Sequence, residues 1–291
     1  MSVITTVEAV PNRIRLFFDV MSEKPKGEDA EKLEAQLAPG VLRTKESAPE
    51  GEDQSPAAVY RNPLREATKL QVVTERDRKL FGPDMPKGGS DFLDWVEPRL
   101  LKKEEATKYE QSLVPYSVAW LLMQSPLKPL PFAQNYKTQI EKDYGSGYDS
   151  FDLTSKERFQ NLAYWTRYLG YSAFMTDRSV VCDPTVALRR KLPVIFANNE
   201  ELRVADFFGA LAEEVSVFEG GSVREELESA LAKVRGARVD QRLSQSTSLA
   251  LVRLEAEGVL QLRELSDAAV KILDLGDGQR RVSHLGRGAR A

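Results

Sequence analysis

A helix-forming stretch that runs into two β-prone stretches occurs near each end of this 291-residue chain. Near the start, residues 55–70 carry apolar side chains at helical spacing, and residues 71–81 alternate as in a small hairpin. Near the end, a helix after the serine-rich segment 244–248 precedes a β-prone stretch at 259–265 and a hairpin turn at 276–278. A helix followed by a β-hairpin closes a winged-helix module, so the pattern predicts one such module at each end.

The long middle of the chain has the character of a helical domain. Its apolar residues recur at helical spacing between breaks, one of which, at 124–132, holds three prolines. A segment with proline and two glycines at 85–89 is typical of a boundary. We therefore predict a mainly α fold with small β-hairpins, in which winged-helix modules at 1–85 and 236–291 flank a helical central domain at 86–235.

Local signals give finer limits for several elements. In the first module we expect a helix at 28–37, an N-cap at Ser55-Pro56 and a hairpin turn at 75–77. In the centre, Ser222 is the expected N-cap of a helix over 223–235.

Composition favours a cytoplasmic protein that does not enter a membrane. No apolar run approaches the roughly 20 residues that span a bilayer, and the N-terminal residues lack the pattern of a signal peptide. A single cysteine, Cys182, excludes an internal disulfide framework and suits a reducing compartment.

The residues that carry chemistry are sparse. With one cysteine and one histidine the chain lacks the ligands of a zinc site, and we expect no metal and no cofactor. A nucleophile pair of Cys182 and His284 would need a coincidence of folding, and a lone cysteine is more often a small buried apolar residue. We expect no enzymatic activity.

Carboxylates beside breaks are the remaining catalytic candidates. Asp149, Asp152, Asp183 and Glu219 occupy such positions, although Asp152 and Asp183 precede helices and suit helix capping better. The segment 219–222 could hold an anion at a helix start, but it lacks the Lys-Ser/Thr of a phosphate-binding loop, and a capped helix is the preferred interpretation.

Aromatic side chains in the centre offer a further possibility. Tyr164, Trp165, Tyr168 and Tyr171 could stack on single-stranded bases. Their helical spacing beside leucines favours instead a place in the core.

Basic side chains on the two predicted modules are the candidate nucleic-acid contacts. In the first module they recur every four residues along the helix, and in the second they lie on the helix and the hairpin. The candidates are Arg61, Arg65, Lys69, Arg253, Arg280 and Arg281. Each could contact phosphate, with Ser244, Gln245 and Ser248 as further polar groups on the second helix. The alternative is that the basic stripe is only a solvated helix face.

Local charge favours the C-terminal module as the DNA contact. The whole chain has a formal charge of −3. Residues 1–85 hold 13 basic and 15 acidic side chains, whereas residues 236–291 hold 9 basic and 7 acidic ones. A local basic patch matters more for phosphate contact than the total charge. Contact with a partner protein remains an equal alternative for either module.

Four stretches, taken in order, carry a resemblance to a known family. They are PNRIRLFF, NLAYWTRYLGYSAF, CDPTVALRRKLPVIF and ADFFGALAEEVSVFEGGSVREEL. Together they resemble the DpdG-type proteins of bacterial anti-phage defence islands, which belong to clusters for deazaguanine modification of DNA and restriction of unmodified DNA. The resemblance implies a non-enzymatic accessory subunit beside ATPase, helicase and nuclease partners, and it supplies no active-site residues.

Four functions therefore stay open at this point. The leading hypothesis is an accessory subunit of a DNA-targeting defence complex that contacts DNA, partner subunits or both. The others are a protein–protein adaptor that never binds DNA, a winged-helix transcription regulator, and a hydrolase that uses carboxylates between 149 and 183.

Overall fold

The computed structural model confirms a mainly α chain with small antiparallel strand pairs. It describes residues 1–39, 58–84, 91–145, 151, 153–235 and 241–290. Within these ranges no helix is long and apolar enough to cross a membrane. Buried side chains from the two ends and the centre form one continuous hydrophobic core.

In the N-terminal unit the described residues form three helices and a three-stranded sheet. Its elements are α1 (Pro11–Ser22), β1 (Glu28–Asp29), α2 (Ala30–Leu37), α3 (Ala58–Lys69), β2 (Thr74–Arg76) and β3 (Lys79–Phe81). In the sheet β3 lies between β1 and β2 and is antiparallel to both. Helix α1 begins at a proline, which suits the first turn, and buries Ile14, Phe17, Phe18 and Met21.

Two predictions for this unit were wrong in detail. Residues 28–29 form a strand against β3, and the helix expected over 28–37 begins at Ala30, where the Asp29 carboxylate accepts from the N–H groups of Glu31 and Lys32 at 3.0 and 3.1 Å. The hairpin turn lies at Asp77-Arg78 rather than 75–77, and both turn residues have positive φ.

Several predicted features fall outside the described residues. These are the N-cap at Ser55-Pro56, the boundary at 85–89, and the carboxylates Asp149 and Asp152.

In the part of the centre that the structure describes, five helices are combined with a hairpin that was not predicted. The helices are α4 (Phe92–Leu101), α5 (Lys103–Lys108), α6 (Leu113–Leu122), α7 (Lys137–Tyr144) and α8 (Lys156–Leu169). After α8, β4 (Ser172–Phe174) pairs antiparallel with β5 (Val180–Cys182). Leu130 pairs with Val180, so the proline-rich segment 124–132 is tied to this hairpin.

The first residues of the chain are buried against α8. The Asn161 amide donates to the carbonyl of Thr6 at 2.7 Å, and the Trp165 indole donates to the carbonyl of Ala9 at 2.8 Å. Val3 and Ile4 are fully buried. Since an unpaired backbone group is costly in a dry interior, these bonds hold the N-terminal unit on the centre.

In the C-terminal part, residues 185–235 and 241–290 form four helices and five strands. They are α9 (Thr185–Ile195), β6 (Glu201–Arg203), α10 (Val204–Glu214), α11 (Ser222–Arg235), α12 (Gln245–Ala256), β7 (Leu260–Arg263), β8 (Lys271–Asp274), β9 (Gln279–Val282) and β10 (His284–Arg287). The predicted strand at 259–265 is confirmed as β7, and the predicted hairpin is confirmed as β8–β9, with Gly276 at φ +88° in its turn. Ser222, predicted as an N-cap, is instead the first residue of its helix.

The C-terminal sheet takes a strand from outside the range predicted for its module. Strand β10 lies between β6 and β7, and Leu285 of β10 is opposite both Leu202 and Leu262. Since β6 occupies 201–203, a boundary at residue 236 would separate it from the strand with which it pairs.

The two ends share an order of elements. In the N-terminal unit it is helix, short strand, helix, helix, strand, strand, and the last strand is central in the sheet. The same order occurs in α9, β6, α10, α12, β7 and β10. The C-terminal version inserts α11 before its last helix and the β8–β9 hairpin before its last strand.

Candidate nucleic-acid interface

Helix α3 presents a polar face to solvent in the N-terminal unit. Its inner face is buried through Tyr60, Pro63 and Ala67, as the apolar spacing requires. On the opposite face Arg61 and Arg65 are exposed one turn apart, with Thr68 one turn further on.

The β2–β3 hairpin adds cations beside this helix. Val72, Val73 and Leu80 are buried and anchor the hairpin. The residues between them that carry charge are all exposed: Glu75, Arg76, Asp77, Arg78 and Lys79. Three cations against two carboxylates make the hairpin tip mildly basic. Sequence reasoning missed these cations as candidates, although the hairpin that it predicted at 71–81 contains them.

The side chain of Lys69 is mostly buried and bonds to groups of the same chain. Its ammonium donates to the carbonyl of Met1 at 2.7 Å and lies 3.0 Å from a carboxylate oxygen of Glu110. The same ammonium is 3.6 Å from the fully buried carboxylate of Glu66, and only 15% of its side chain is exposed. The hydrogen bond from Lys69 lowers the pKa of Glu110. The predicted stripe is therefore on one helix, but Lys69 does not share the exposure of Arg61.

Arg65 is intermediate between the exposed Arg61 and the mostly buried Lys69. Its guanidinium is 3.3 Å from Glu66 and donates to the Thr6 hydroxyl at 3.3 Å, while 41% of the side chain stays exposed. Arg61 is exposed and makes no ion pair with another residue that the structure describes.

The N-terminal half of α12, the counterpart of α3, is covered by the rest of the chain. Three consecutive residues on it, Ser246, Thr247 and Ser248, have no exposed surface. The Ser246 hydroxyl donates to the carbonyl of Leu122 at 2.5 Å, and the Ser248 hydroxyl accepts from the N–H of Asp274 at 2.9 Å. Gln245 donates to the Asp274 carboxylate at 3.2 Å. The hydroxyls of Ser244 and Ser248 are thus used inside the molecule, and the partly buried Gln245 is bonded to Asp274.

A buried carboxylate holds the start of α12. One oxygen of Glu219 accepts from the N–H of Ser244 at 2.7 Å and from its hydroxyl at 2.5 Å, and the other accepts from Thr247 at 2.7 Å. Burial alone would raise the pKa of Glu219, but the nearby Arg224 charge and the hydrogen bonds from Ser244 and Thr247 outweigh it and lower the pKa to about 2. The segment 219–222 is therefore a structural support of α12.

The three C-terminal arginines predicted to contact phosphate each face a carboxylate. Arg253 pairs with Asp183, Arg280 with both oxygens of Glu255, and Arg281 with Glu264. Hydrogen bonds from Arg280 lower the pKa of Glu255. All three arginine side chains keep substantial exposure, so their pairs are surface pairs that a phosphate would have to replace.

A comparison with protein families decides where this chain belongs. The model of the family described as DpdG-like matches residues 1–268. The chain belongs to the DpdG-like family. The family resemblance predicted from the sequence is thereby confirmed, and it associates the chain with the Dpd system for deazaguanine modification of DNA. No curated protein and no solved structure matches the chain.

Asp183 and Cys182 are catalytic candidates that the structure describes in this DpdG-like chain, and the contacts of both suit a structural role. Asp183 accepts from the N–H and hydroxyl of Thr185 at 3.1 and 2.5 Å and so supports the start of α9. Burial, with the Asp183 charge second, raises the pKa of the Cys182 thiol to about 12. Cys182 lies opposite Ser172, whereas His284 belongs to another sheet. In the described ranges no group of three or more His, Cys, Asp or Glu side chains is arranged to hold a metal.

Proposed function

We propose that this chain is a non-enzymatic accessory subunit of a DNA-targeting defence complex linked to deazaguanine modification, and that its N-terminal unit is a winged helix that contacts duplex DNA. Family membership supports the setting. The order of helices and strands, with β3 between β1 and β2, supports the winged-helix assignment.

The observation that carries DNA contact is the exposed polar face of α3 beside a mildly basic hairpin tip. In this proposal α3 enters the major groove, and Arg61 and Arg65 contact phosphates or base edges. The hairpin acts as the wing, and Arg76, Arg78 and Lys79 contact the neighbouring backbone.

The C-terminal unit takes a different role in the proposal. Because the first turns of α12 are covered by α6, β8 and the Glu219 loop, the residues there cannot enter a groove. Its exposed surface, with the pairs of Arg253 and Arg281, is assigned to partner subunits such as an ATPase or a helicase. The proposal therefore places DNA contact on the N-terminal unit, whereas local charge in the sequence favours the C-terminal one.

Fluorescence anisotropy with labelled duplex DNA at two salt concentrations tests the proposal. Replacement of Arg61, Arg76 and Arg78 by Ala should weaken binding to every sequence and reduce the salt slope by about 1 for each lost phosphate contact. The matched control replaces Arg253, Arg280 and Arg281 by Ala, which removes the same charge from the other unit and should leave affinity nearly unchanged. Equal effects of the two variants, or no binding by the intact chain at low salt, would refute duplex contact by α3.

A protein–protein adaptor is the second candidate. The observation that favours it is the occupation of most candidate cations by carboxylates of the same chain, as in Arg65, Lys69 and Arg280. An adaptor would assemble with its partner subunits without sensitivity to salt and would not retain DNA. A transcription regulator would form a homodimer and protect two half-sites about one helical turn apart.

A further inference from the structure

A cluster of aromatic rings lies on the surface of the centre, away from α3 and its hairpin. Phe132 of the proline-rich segment lies 5.4 Å, between ring centroids, from both Tyr164 of α8 and Phe174 of β4, and those two are 6.1 Å apart. Tyr168 follows Tyr164 by one helical turn on α8. We call these four rings, together with the three arginines beside them, the aromatic–arginine surface; the arginines are Arg15, Arg167 and Arg178.

Phe132, Tyr168 and Phe174 are partly buried and pack against the core, whereas Tyr164 is exposed beside them. The inward face of α8 is already occupied by Phe159, Leu162 and Trp165, each with no exposed surface. Tyr164 is 41% exposed, and Met175, next to Phe174, is 50% exposed. The aromatic residues proposed from sequence thus separate into two buried rings, Trp165 and Tyr171, and two that reach the surface.

Guanidinium groups alternate with the rings. Arg167 stacks over Phe174 with its central carbon 5.0 Å from the ring centroid, and Arg15 of α1 donates to the Tyr168 hydroxyl at 3.3 Å. Arg178 is exposed at the tip of the β4–β5 hairpin. Two carboxylates lie in the same region: Asp177, which lines the hollow beside Arg178, accepts from the N–H and hydroxyl of Ser179, and Asp19 pairs with Arg15.

A hollow lies on each side of the rings. One, of about 520 Å³, is lined by Pro11 and Asn12 of α1 together with Tyr164, Arg167 and Tyr168. The other, of about 620 Å³, lies between the proline-rich segment and the β4–β5 hairpin and includes Phe132 and Arg178. The rings form the ridge between two open hollows, each with an arginine in its lining.

We propose that the aromatic–arginine surface binds single-stranded nucleic acid. Unstacked bases would lie on Tyr164, Phe132 and Phe174, and phosphates would meet Arg167 and Arg178. A duplex keeps its base faces stacked and cannot offer them to a ridge of rings, whereas a separated strand can. The alternation of rings and guanidinium groups matches a polymer that alternates bases and phosphates better than it matches an apolar protein surface.

The first test compares two labelled strands of equal charge, oligothymidylate of about 20 nucleotides and an abasic strand of the same length, with the full chain. Stacking predicts tighter binding of the strand that has bases. Tyr164→Ala should weaken oligothymidylate binding at least fivefold, a value at the low end for one aromatic–base contact, while Tyr164→Phe should retain binding. Val194→Ala, on α9, removes another exposed apolar side chain and should have no effect.

Photo-crosslinking with bromodeoxyuridine locates the strand directly. Adducts should occur on the tryptic peptides 159–167 and 168–178, which carry Tyr164 and Phe174. Adducts confined to other peptides, equal affinity for the abasic strand, or no single-strand binding would each overturn the proposal. Absence of strand binding would assign the surface to a partner protein.

This proposal is independent of duplex contact by α3. The Arg61, Arg76 and Arg78 variant should retain single-strand binding, and Tyr164→Ala should retain duplex binding. If one of the two proposals fails, the other can therefore still be tested by its own variant.

Discussion

Glu219 and Ser244 join two segments that are far apart in the sequence. The carboxylate accepts from both the backbone N–H and the hydroxyl of Ser244, which is the N-cap of α12. The N-cap of a helix usually uses its own side chain to satisfy the free N–H groups of the first turn. Here the buried Glu219 carboxylate accepts from the N-cap residue itself, and the Arg224 guanidinium, 3.6 Å away, compensates the carboxylate charge.

Glu219→Gln should therefore destabilise the fold by about 3 kcal/mol at neutral pH, since it removes a buried charge that Arg224 and two hydroxyl donors stabilise. Urea denaturation measures the change. Glu225→Gln, on the exposed face of α11, is the matched control and should change stability by less than about 0.5 kcal/mol.

The same substitution should alter the acid sensitivity of the fold. The pKa of Glu219 in the folded chain is about 2, below its ordinary value of 4.5, so its stabilisation is complete above about pH 4.5 and is lost as the pH falls towards 2. The stability difference between the native chain and Glu219→Gln should accordingly shrink between pH 5 and pH 3. A difference that stays constant over that interval would contradict the assigned cause.

Lys69→Ala should cost about 1–2 kcal/mol, whereas Arg61→Ala should be neutral within about 0.5 kcal/mol. Lys69 holds the carbonyl of Met1 and compensates the buried Glu66, while Arg61 has no such role. Thermal or urea denaturation of the two variants separates structural from surface cations on α3. Equal stability of both variants would show that the contacts of Lys69 contribute nothing net.

The turn at Asp77-Arg78 offers a test that separates stability from binding. Both residues have positive φ, a conformation that favours Asn-Gly in two-residue hairpins. Arg78→Gly should raise stability by up to about 1 kcal/mol, because glycine adopts positive φ without strain, and on the duplex proposal it should still weaken DNA binding because Arg78 is lost. Unchanged DNA affinity would exclude Arg78 from the interface.

Cys182 should be inert in the folded chain. Only 1% of the residue is exposed, and burial raises its pKa to about 12, so little thiolate exists at pH 8. A colorimetric thiol reagent should react with it only after denaturant is added. Rapid reaction under native conditions would show that the β4–β5 hairpin opens readily.

Local chemistry determined much of the fold from the sequence alone. The Gly-Asp-Gly turn at 276–278 predicted β8–β9, and the β-prone stretch at 259–265 predicted β7, because turn geometry and strand propensity depend on neighbouring residues only. Strand β1 could not be predicted in this way, since its two residues become a strand only by pairing with β3, about fifty residues further along the chain.

The candidate site depended more heavily on tertiary structure. The sequence determined that α3 and α12 both carry polar faces and that the chain resembles DpdG-type proteins. Only the folded chain decided that the Ser246 and Ser248 hydroxyls are bound to Leu122 and Asp274, while Arg61 and Tyr164 face solvent. Periodicity shows which face of a helix is polar, but long-range hydrogen bonds and packing decide whether water or protein covers that face.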